Sequence, residues 1–292
     1  ASVPLARLKG LLDEDDVNAL VDFRCDSCAN CPECRLSNRA KTRSLQEAHE
    51  QEVIERSVTV DVETAKVTVE LPFIRPPVEF LTNQHGGSSN YYQAHRIYKS
   101  QCRKPEEVKA LIRDTHADLV AKGFMSRLED LSLDQQRLIS NAPFTHYLPW
   151  RAVYKPNSTS TPVRLVVDPS CTGLNIILAK GENMLTKIPE ILVRLRTHRF
   201  AWSTDISKLY NMLHLKDSAL PYSLFLFEDS LQDAVPPVVW VMTRAWYGVC
   251  STGNQSGVAL ESLAKLMTGE YPAAVGPLTR DRYVDDLSLI HI

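Results

Sequence analysis

The sequence predicts an α+β fold in which helices pack against antiparallel sheets. Segment 57–71 alternates apolar and polar residues about a central turn, and segment 149–169 places two β-rich runs around a polar turn, so both predict β-hairpins. Between them, residues 105–122 space their apolar side chains as one face of a helix. The chain has 292 residues, 44% of them hydrophobic and 23% charged, which is typical of one large or two modest globular domains.

Composition also predicts the setting of the protein. The formal net charge is −2, so a nucleic-acid surface has to be local, and residues 151–199 carry eight basic against three acidic side chains. No apolar run approaches a membrane span, and the N-terminus lacks the pattern of a signal peptide. Seven cysteines, an odd number, favour reduced thiols. We therefore expect an intracellular, cytoplasmic protein with no membrane partner.

The first predicted segment, 1–56, is a Cys-rich N-terminal linker module. Four cysteines follow one another at a strict spacing of three residues: Cys25, Cys28, Cys31 and Cys34. Thiolates at this spacing can close on one Zn²⁺ ion, although the usual zinc site takes its two pairs from separate turns. An iron–sulfur site and a set of reduced, metal-free cysteines stay open as alternatives. The charge-rich stretch at 35–56 predicts an exposed linker or a solvated helix.

The second predicted segment, 57–100, contains the first hairpin and a connecting region. Its two alternating runs, 57–62 and 66–71, flank a Glu-Thr-Ala turn. Prolines then end the second strand, and a Gly- and Ser-rich stretch at 85–90 predicts a loop. We expect a domain boundary between residues 57 and 92.

The third predicted segment, 101–292, contains further helices and strands. Its first helix opens at Pro105 and ends before Gly123. A second helix is expected at 186–199, with two leucines turned inward and three arginines outward: Leu192, Leu195, Arg194, Arg196 and Arg199. Apolar runs predict the later strands, at 200–205, 222–227 and 238–243.

Acidic residues follow two apolar runs in this segment. Asp285 and Asp286 lie between short runs rich in Tyr, Val, Leu and Ile, so we expect them in a tight hairpin turn. Asp205 ends another apolar, aromatic run. Strands that deliver three carboxylates to one edge would form a two-metal site for phosphoryl transfer, in which Mg²⁺ binds carboxylates and substrate phosphates. A solvated Asp-Asp turn is the alternative.

The acidic motifs resemble those of a known family. An apolar strand ending Asp205-Ile-x-x-x-Tyr210, followed by Tyr283-Val-Asp-Asp286, resembles motifs A and C of reverse transcriptases. A Cys run ahead of the polymerase is similar to that of Pao/BEL-type LTR retrotransposons. The resemblance covers residues 25–287. It implies the fingers and partial palm of a reverse transcriptase, preceded by a Cys-rich linker.

The resemblance also implies a metal site and a nucleotide site. Asp205, Asp285 and Asp286 would be catalytic, and together with the Ile206 carbonyl they would hold two Mg²⁺ ions with the dNTP. The residues that would contact the nucleotide are Lys155, Arg164, Ile206, Tyr210, Tyr247 and Gly248.

The resemblance implies a specific role for three of these nucleotide contacts. Arg164 matches the arginine of the family's fingers hairpin that contacts the triphosphate, and Lys155 matches its partner lysine. A planar guanidinium holds phosphate oxygens bidentately, which suits the role. Tyr210 occupies the position of the aromatic residue that excludes a 2′-hydroxyl and so selects deoxynucleotides.

The chain departs from the family after Tyr247-Gly248. Thr252 and Gly253 stand where the family usually continues Ser-Pro-aromatic, and glycines at 253 and 257 each weaken the expected helix by about 1 kcal/mol relative to Ala. Few residues follow Asp286, so we expect a fragment that lacks the thumb and the RNase H domain.

The implied activity is RNA- and DNA-templated DNA synthesis. Its partners would be an RNA or DNA template with primer, dNTPs, and the protease, RNase H and integrase of the parent polyprotein in a virus-like particle. Two alternatives stay open. The chain could be a catalytically inert transposon remnant, or a zinc-dependent nucleic-acid-binding module that works through its Cys run.

Overall fold

The computed structural model describes residues 45–64, 66–155, 162–196 and 201–290. Within these ranges the protein is a mixed α+β structure with small, mostly antiparallel sheets and packed helices, which confirms the predicted fold class at this level. The Cys run, including all four candidate zinc ligands, lies outside the described residues.

The helices are numbered in chain order. They are α1 Leu45–Arg56, α2 Pro77–His85, α3 Tyr91–Cys102, α4 Glu106–Ala121, α5 Leu133–Ser140, α6 Ile188–Arg196, α7 Thr252–Leu266 and α8 Pro272–Thr279. Short 3₁₀ turns occur at Leu128–Asp130, Leu174–Ile176, Leu209–Met212 and Asp217–Tyr222. In the part of the chain that the structure describes, no helix has the length and apolar character needed to cross a membrane.

The strands are likewise numbered in chain order. They are β1 Val58–Asp61, β2 Lys66–Val69, β3 Met125–Arg127, β4 Trp150–Tyr154, β5 Val163–Val167, β6 Ala201–Asp205, β7 Leu213–Leu215, β8 Leu224–Phe227, β9 Val238–Met242, β10 Arg282–Tyr283 and β11 Asp286–Ile290. The predicted strands near 205, 222–227 and 238–243 are therefore present.

The chain divides into two compact units built from discontinuous segments. The larger unit consists of Glu50–Gly181 and Lys208–Ala259, and its sheets have the strand orders β1-β2-β7, β3-β9-β8 and β4-β5. Only β2 and β7 pair in parallel among these neighbours. The smaller unit includes Glu182–Ser207 and Leu260–Ile292, and its described strands form a sheet in the order β10-β11-β6.

Both predicted hairpins of the larger unit are present. In the β1–β2 turn, the Asp61 carboxylate accepts hydrogen bonds from the backbone N–H groups of Glu63 at 3.0 Å and Thr64 at 3.2 Å, and so stabilises the turn locally. In the second hairpin, Trp150 of β4 lies opposite Val167 of β5. Alternate residues of these two strands are buried, as expected for strands with one face on the core.

Helix α4 forms where the apolar spacing predicts it. Pro105 is its N-cap residue, and Gly123 follows its last turn at φ +67°, a left-handed conformation that costs glycine no steric clash. Ile112 and Leu119 are buried as expected. His116 is also buried, and the polar character of its ring concealed this from the sequence pattern.

The core of the larger unit is rich in aromatic rings. Trp150 is buried, and its Nε1–H donates to the backbone carbonyl of Leu226 at 2.8 Å. Its ring centroid lies 5.5 Å from that of Phe225 and 5.8 Å from that of Phe227. The His116 ring stacks on Phe227 at 3.6 Å. Burial lowers the pKa of His116 to about 4, so this ring is neutral near pH 7.

In the charged stretch at 35–56, residues 45–56 are helical, as one of its two interpretations predicted, and residues 35–44 lie outside the described residues. Helix α1 is exposed at 46–49 but buries Glu50 and Ile54 further along. Glu50 accepts hydrogen bonds from the backbone N–H groups of Lys180 at 2.8 Å and Gly181 at 3.2 Å. A buried carboxylate needs such donors, so this half of the helix is a packed element rather than a solvated one.

Helix α6 buries a different face from the one expected. Leu192 is 43% exposed and Leu195 is half-buried, whereas Ile191 and Arg194 are buried. The predicted orientation was wrong for Leu192 and Arg194, because a guanidinium can be buried once a carboxylate neutralises it, and Arg194 has such a partner in Asp281. Arg196 is exposed as expected, and Arg199 lies outside the described residues. A count of apolar residues along one helix does not include a partner that comes from a distant segment.

Candidate functional site

The hairpin β10–β11 carries two of the predicted site residues. Tyr283 pairs with Asp286, and Val284 and Asp285 form the two-residue turn between them. The predicted hairpin is therefore present, with Asp285 in the turn and Asp286 as the first residue of the returning strand. Val284 has φ 58°, a left-handed conformation that is strained for a β-branched side chain.

Strand β6 brings the third aspartate to the same place. It pairs antiparallel with β11, and in this register Asp205 lies directly opposite Asp286. The backbone N–H of Ile206 donates to the Asp285 carbonyl at 2.8 Å, so the pairing continues into the turn. Directly opposed residues share one face of a sheet with Cβ atoms about 5 Å apart. The structure thus brings Asp205, Asp285 and Asp286 together at one end of the smaller unit's sheet.

The electrostatics of this end favour a cation. Asp205 and Asp286 are exposed and Asp285 is half-buried, and like charges directly opposite one another on two strands destabilise their pairing. Among the described residues, no group of three or more His, Cys, Asp or Glu side chains is arranged to hold a metal ion. Mg²⁺ keeps several waters and needs only one or two carboxylates together with substrate phosphates. Mg²⁺ binding by the opposed carboxylates stays a prediction.

Three further hydrogen bonds hold the hairpin where it enters β10. Arg282 donates from Nε to the Leu278 carbonyl at 3.0 Å. Arg194 donates from Nε to Oδ1 of Asp281 at 2.6 Å and from Nη2 to the Arg280 carbonyl at 2.8 Å. The sequence predicts no role for Asp281, and it predicts Arg194 on the solvent side of its helix. An arginine among the apolar residues of α6 was the only sequence signal for this contact.

Tyr210 and Tyr247 are in contact within the larger unit. Their ring centroids lie 4.6 Å apart at an interplanar angle of 41°. Tyr210 belongs to the 3₁₀ turn that follows Lys208, a residue in the left-handed conformation at φ 53°. A Cβ atom placed on Gly253 would lie 3.3 Å from the Tyr210 hydroxyl oxygen, so a glycine at this position gives the ring its space.

Gly248 occupies a position that only glycine can fill. Its φ is +109°, and a Cβ atom there would lie 2.2 Å from the Val167 carbonyl oxygen. Asn175 holds the same turn with its side-chain amide, which donates to the Gly248 carbonyl at 2.9 Å and accepts from the Cys250 N–H at 3.0 Å. The turn at Tyr247 and Gly248 therefore leads into helix α7, and the Asn175 side chain supports it.

The thiol next to this turn is unsuited to nucleophilic chemistry. Burial raises the pKa of the Cys250 thiol to about 11. A thiol attacks as its thiolate, which this pKa keeps scarce near neutral pH. Cys250 is therefore a packing residue of the turn.

Lys155 and Arg164 lie on the β4–β5 hairpin of the larger unit. Both side chains are exposed, and Arg164 pairs with Val153 across the hairpin. The backbone N–H of Lys155 donates to the Pro162 carbonyl at 2.7 Å, which extends the hairpin by one bond beyond β4. Both cations are thus held on a paired backbone and available to a ligand.

Comparison with known proteins adds no relative: no protein-family model matches the chain, and no curated protein matches it.

Proposed function

We propose that this chain is the fingers and partial palm of a Pao/BEL-type reverse transcriptase, an RNA-directed DNA polymerase that transfers nucleotides to a primer 3′-hydroxyl. The observation that carries the proposal is the register of β6 and β11, which sets Asp205 opposite Asp286. These aspartates belong to the two motifs that resemble motifs A and C, and they come from distant parts of the chain. Directly opposed like charges disfavour strand pairing, and a cation bound by both carboxylates would offset that cost.

In this proposal the carboxylates bind the metal ions. Asp205 and Asp285 hold two Mg²⁺ ions, assisted by Asp286 and the Ile206 carbonyl. The chemistry that these ions supply when bound is activation of the primer hydroxyl and neutralisation of the triphosphate. The hydrogen bond between the Ile206 N–H and the Asp285 carbonyl keeps the turn in register with β6, so that the carboxylates stay at one end of the sheet.

The nucleotide contacts are assigned in the larger unit. Arg164 and Lys155, exposed on their hairpin, bind phosphate oxygens. Tyr210 packs against Tyr247, which limits the movement of both rings, and a ring held in this way can exclude a 2′-hydroxyl. Because Gly248 has no Cβ atom, the backbone of this turn can lie close to the Val167 carbonyl, where a side chain would clash.

Proposed partners are an RNA or DNA template with its primer, dNTPs, and the protease, RNase H and integrase of a parent polyprotein. The proposed setting is the cytoplasm, within a virus-like particle of the parent element. Zn²⁺ binding by the Cys run stays a prediction.

Primer extension on poly(rA)/oligo(dT) with Mg²⁺ tests the proposal. The wild-type chain should extend the primer, and Asp285→Asn should lose extension because a metal ligand is gone. Glu270→Gln is the matched control, since Glu270 is an exposed acid of the smaller unit that is not part of the hairpin. Equal extension by wild type and Asp285→Asn would contradict the metal assignment.

A non-catalytic descendant of such a polymerase is the second candidate. Two observations favour it: Gly253 interrupts the family pattern at the start of α7, and no three-ligand metal group is arranged among the described residues. For this candidate, the wild-type chain shows no Mg²⁺-dependent extension although it unfolds cooperatively on heating. Extension above the Asp285→Asn background would exclude it.

A further inference from the structure

A buried ion pair lies at the base of the hairpin that carries Asp285 and Asp286. Arg194 donates to the Asp281 carboxylate at 2.6 Å and to the Arg280 carbonyl at 2.8 Å. The Arg194 side chain is 4% exposed and that of Asp281 is 5% exposed. One guanidinium therefore holds two consecutive residues immediately before β10, and it does so in a place that excludes competing water.

The same short segment is also hydrogen-bonded to α8. The backbone N–H groups of Arg280 and Asp281 both donate to the Gly276 carbonyl, at 2.8 Å and 3.1 Å. Arg282 donates from Nε to the Leu278 carbonyl at 3.0 Å. Residues 280–282 are thus hydrogen-bonded to both α6 and α8. A shift of either helix would therefore also shift Arg282, the first residue of β10.

Strand β10 is short, and Arg282 also donates from Nη1 to the Val284 carbonyl at 3.5 Å, across the turn that follows. The strand has two residues, and its pairs with β11 are Arg282 with Leu287 and Tyr283 with Asp286. Because Asp285 and Asp286 follow Asp281 by four and five residues, a displacement at the ion pair displaces the carboxylates as well. Movements of about 1 Å at a reacting centre can cost on the order of a hundredfold in rate.

We infer that Arg194 is a positioning residue: through Asp281 it sets where the β10–β11 hairpin presents Asp285 and Asp286 to a divalent cation. The inference rests on the proposed function, which gives those carboxylates their use. The chemistry of the pair supports it. A buried ion pair adds little net stability compared with apolar residues of the same volume, but a planar guanidinium fixes two acceptors in direction as well as distance.

Binding of Mn²⁺ alone, followed by its electron paramagnetic resonance signal, tests the inference without requiring polymerase activity. Two variants perturb the pair differently: Arg194→Lys keeps the charge and loses the fork, and Asp281→Asn keeps the shape and loses the charge. Both should bind Mn²⁺ about tenfold more weakly than the wild type, as for other residues that orient metal ligands. Arg196→Lys, at an exposed position on the same helix, is the matched control and should bind like the wild type.

Thermal unfolding of each variant separates positioning from stability. Lower Tm with unchanged Mn²⁺ affinity in Arg194→Lys would overturn the inference and leave a structural ion pair. If Arg194→Lys does not fold, Asp281→Asn decides by the same comparison. In primer extension, the Mg²⁺ concentration for half-maximal rate should rise while KM for the dNTP stays constant, which a general loss of stability would not produce.

Failure of the proposed function gives a different result. If Asp285→Asn binds Mn²⁺ as tightly as the wild type does, the aspartates hold no cation and the metal assignment itself is wrong. If Asp285→Asn weakens binding and the two ion-pair variants do not, only the role of Arg194 is overturned.

Discussion

The two hairpins that carry the candidate site residues are supported by different kinds of contact. The β4–β5 hairpin, which carries Arg164, rests through Trp150 on a cluster of buried aromatic rings. The β10–β11 hairpin, which carries Asp285, is held by the buried pair of Arg194 and Asp281. One support is apolar and the other is charged, although both hairpins are short and antiparallel.

The difference teaches what each support can do. Apolar burial is non-directional and strongly stabilising, so it suits a hairpin whose long cations adjust to a flexible triphosphate. An ion pair with a guanidinium is directional and contributes little net stability, so it suits carboxylates whose spacing decides whether a small cation binds. The larger unit should therefore respond to mutation mainly through stability, and the smaller unit also through geometry.

The largest expected effect tests the charged support. Arg194→Met leaves the Asp281 carboxylate buried without its main partner, and we expect a loss of about 3–5 kcal/mol in the free energy of unfolding. The double variant Arg194→Met/Asp281→Leu removes both charges and should recover most of this loss, because apolar residues fill the same volume. Urea unfolding measures both. A double variant no more stable than the single one would show that the pair itself supplies the stability.

An intermediate effect tests the aromatic support through pH. Burial lowers the pKa of His116 from its ordinary value of 6.5 to about 4, so the unfolded chain takes up a proton before the folded chain does. The contribution of neutral His116 to the free energy of unfolding is therefore fully present above pH 6.5 and is lost as the pH falls toward 4. Between pH 7 and pH 5 this loss amounts to about 2 kcal/mol for one such histidine.

Replacement of the His116 ring isolates its contribution to the pH dependence of stability. His116→Phe keeps an aromatic ring on Phe227 and removes the titration, so its stability should fall less steeply between pH 7 and pH 5 in urea unfolding. His49→Gln, at an exposed position, should keep the wild-type slope. His146, whose pKa burial lowers to about 3, still contributes to the slope of both variants. An unchanged slope in His116→Phe would contradict the neutral, buried state of the ring.

The smallest expected effect concerns Gly253 and Tyr210. Ala at position 253 favours the helix by about 1 kcal/mol, but its Cβ would meet the Tyr210 hydroxyl at 3.3 Å, a close contact. Tyr210→Phe removes that oxygen. Gly253→Ala should therefore be more favourable in the Tyr210→Phe background, by about 0.5 kcal/mol in a double-mutant cycle of unfolding free energies. Equal effects in both backgrounds would show that Gly253 does not set the position of the ring.

Local patterns were sufficient to predict many elements. The hairpins at β1–β2 and β4–β5, helix α4 and the strand that ends at Asp205 all follow from periodicity and from turn residues near them in the chain. Gly248 was named only through the family resemblance, and the reason for a glycine there, the close approach of the Val167 carbonyl, became visible only in the structure. The assigned roles of the site residues stay predictions.

The sequence by itself determined the α+β class, the main elements and the residues that carry acidic and basic chemistry, because helix and strand periods and turn preferences act over a few neighbouring residues. Tertiary structure decided that Arg194 turns inward to Asp281, that His116 is buried and neutral, and that Asp205 pairs with Asp286. Each of these depends on a partner from a distant segment. The cost of burying a charge or of opposing two carboxylates is set by that partner, and no local pattern contains it.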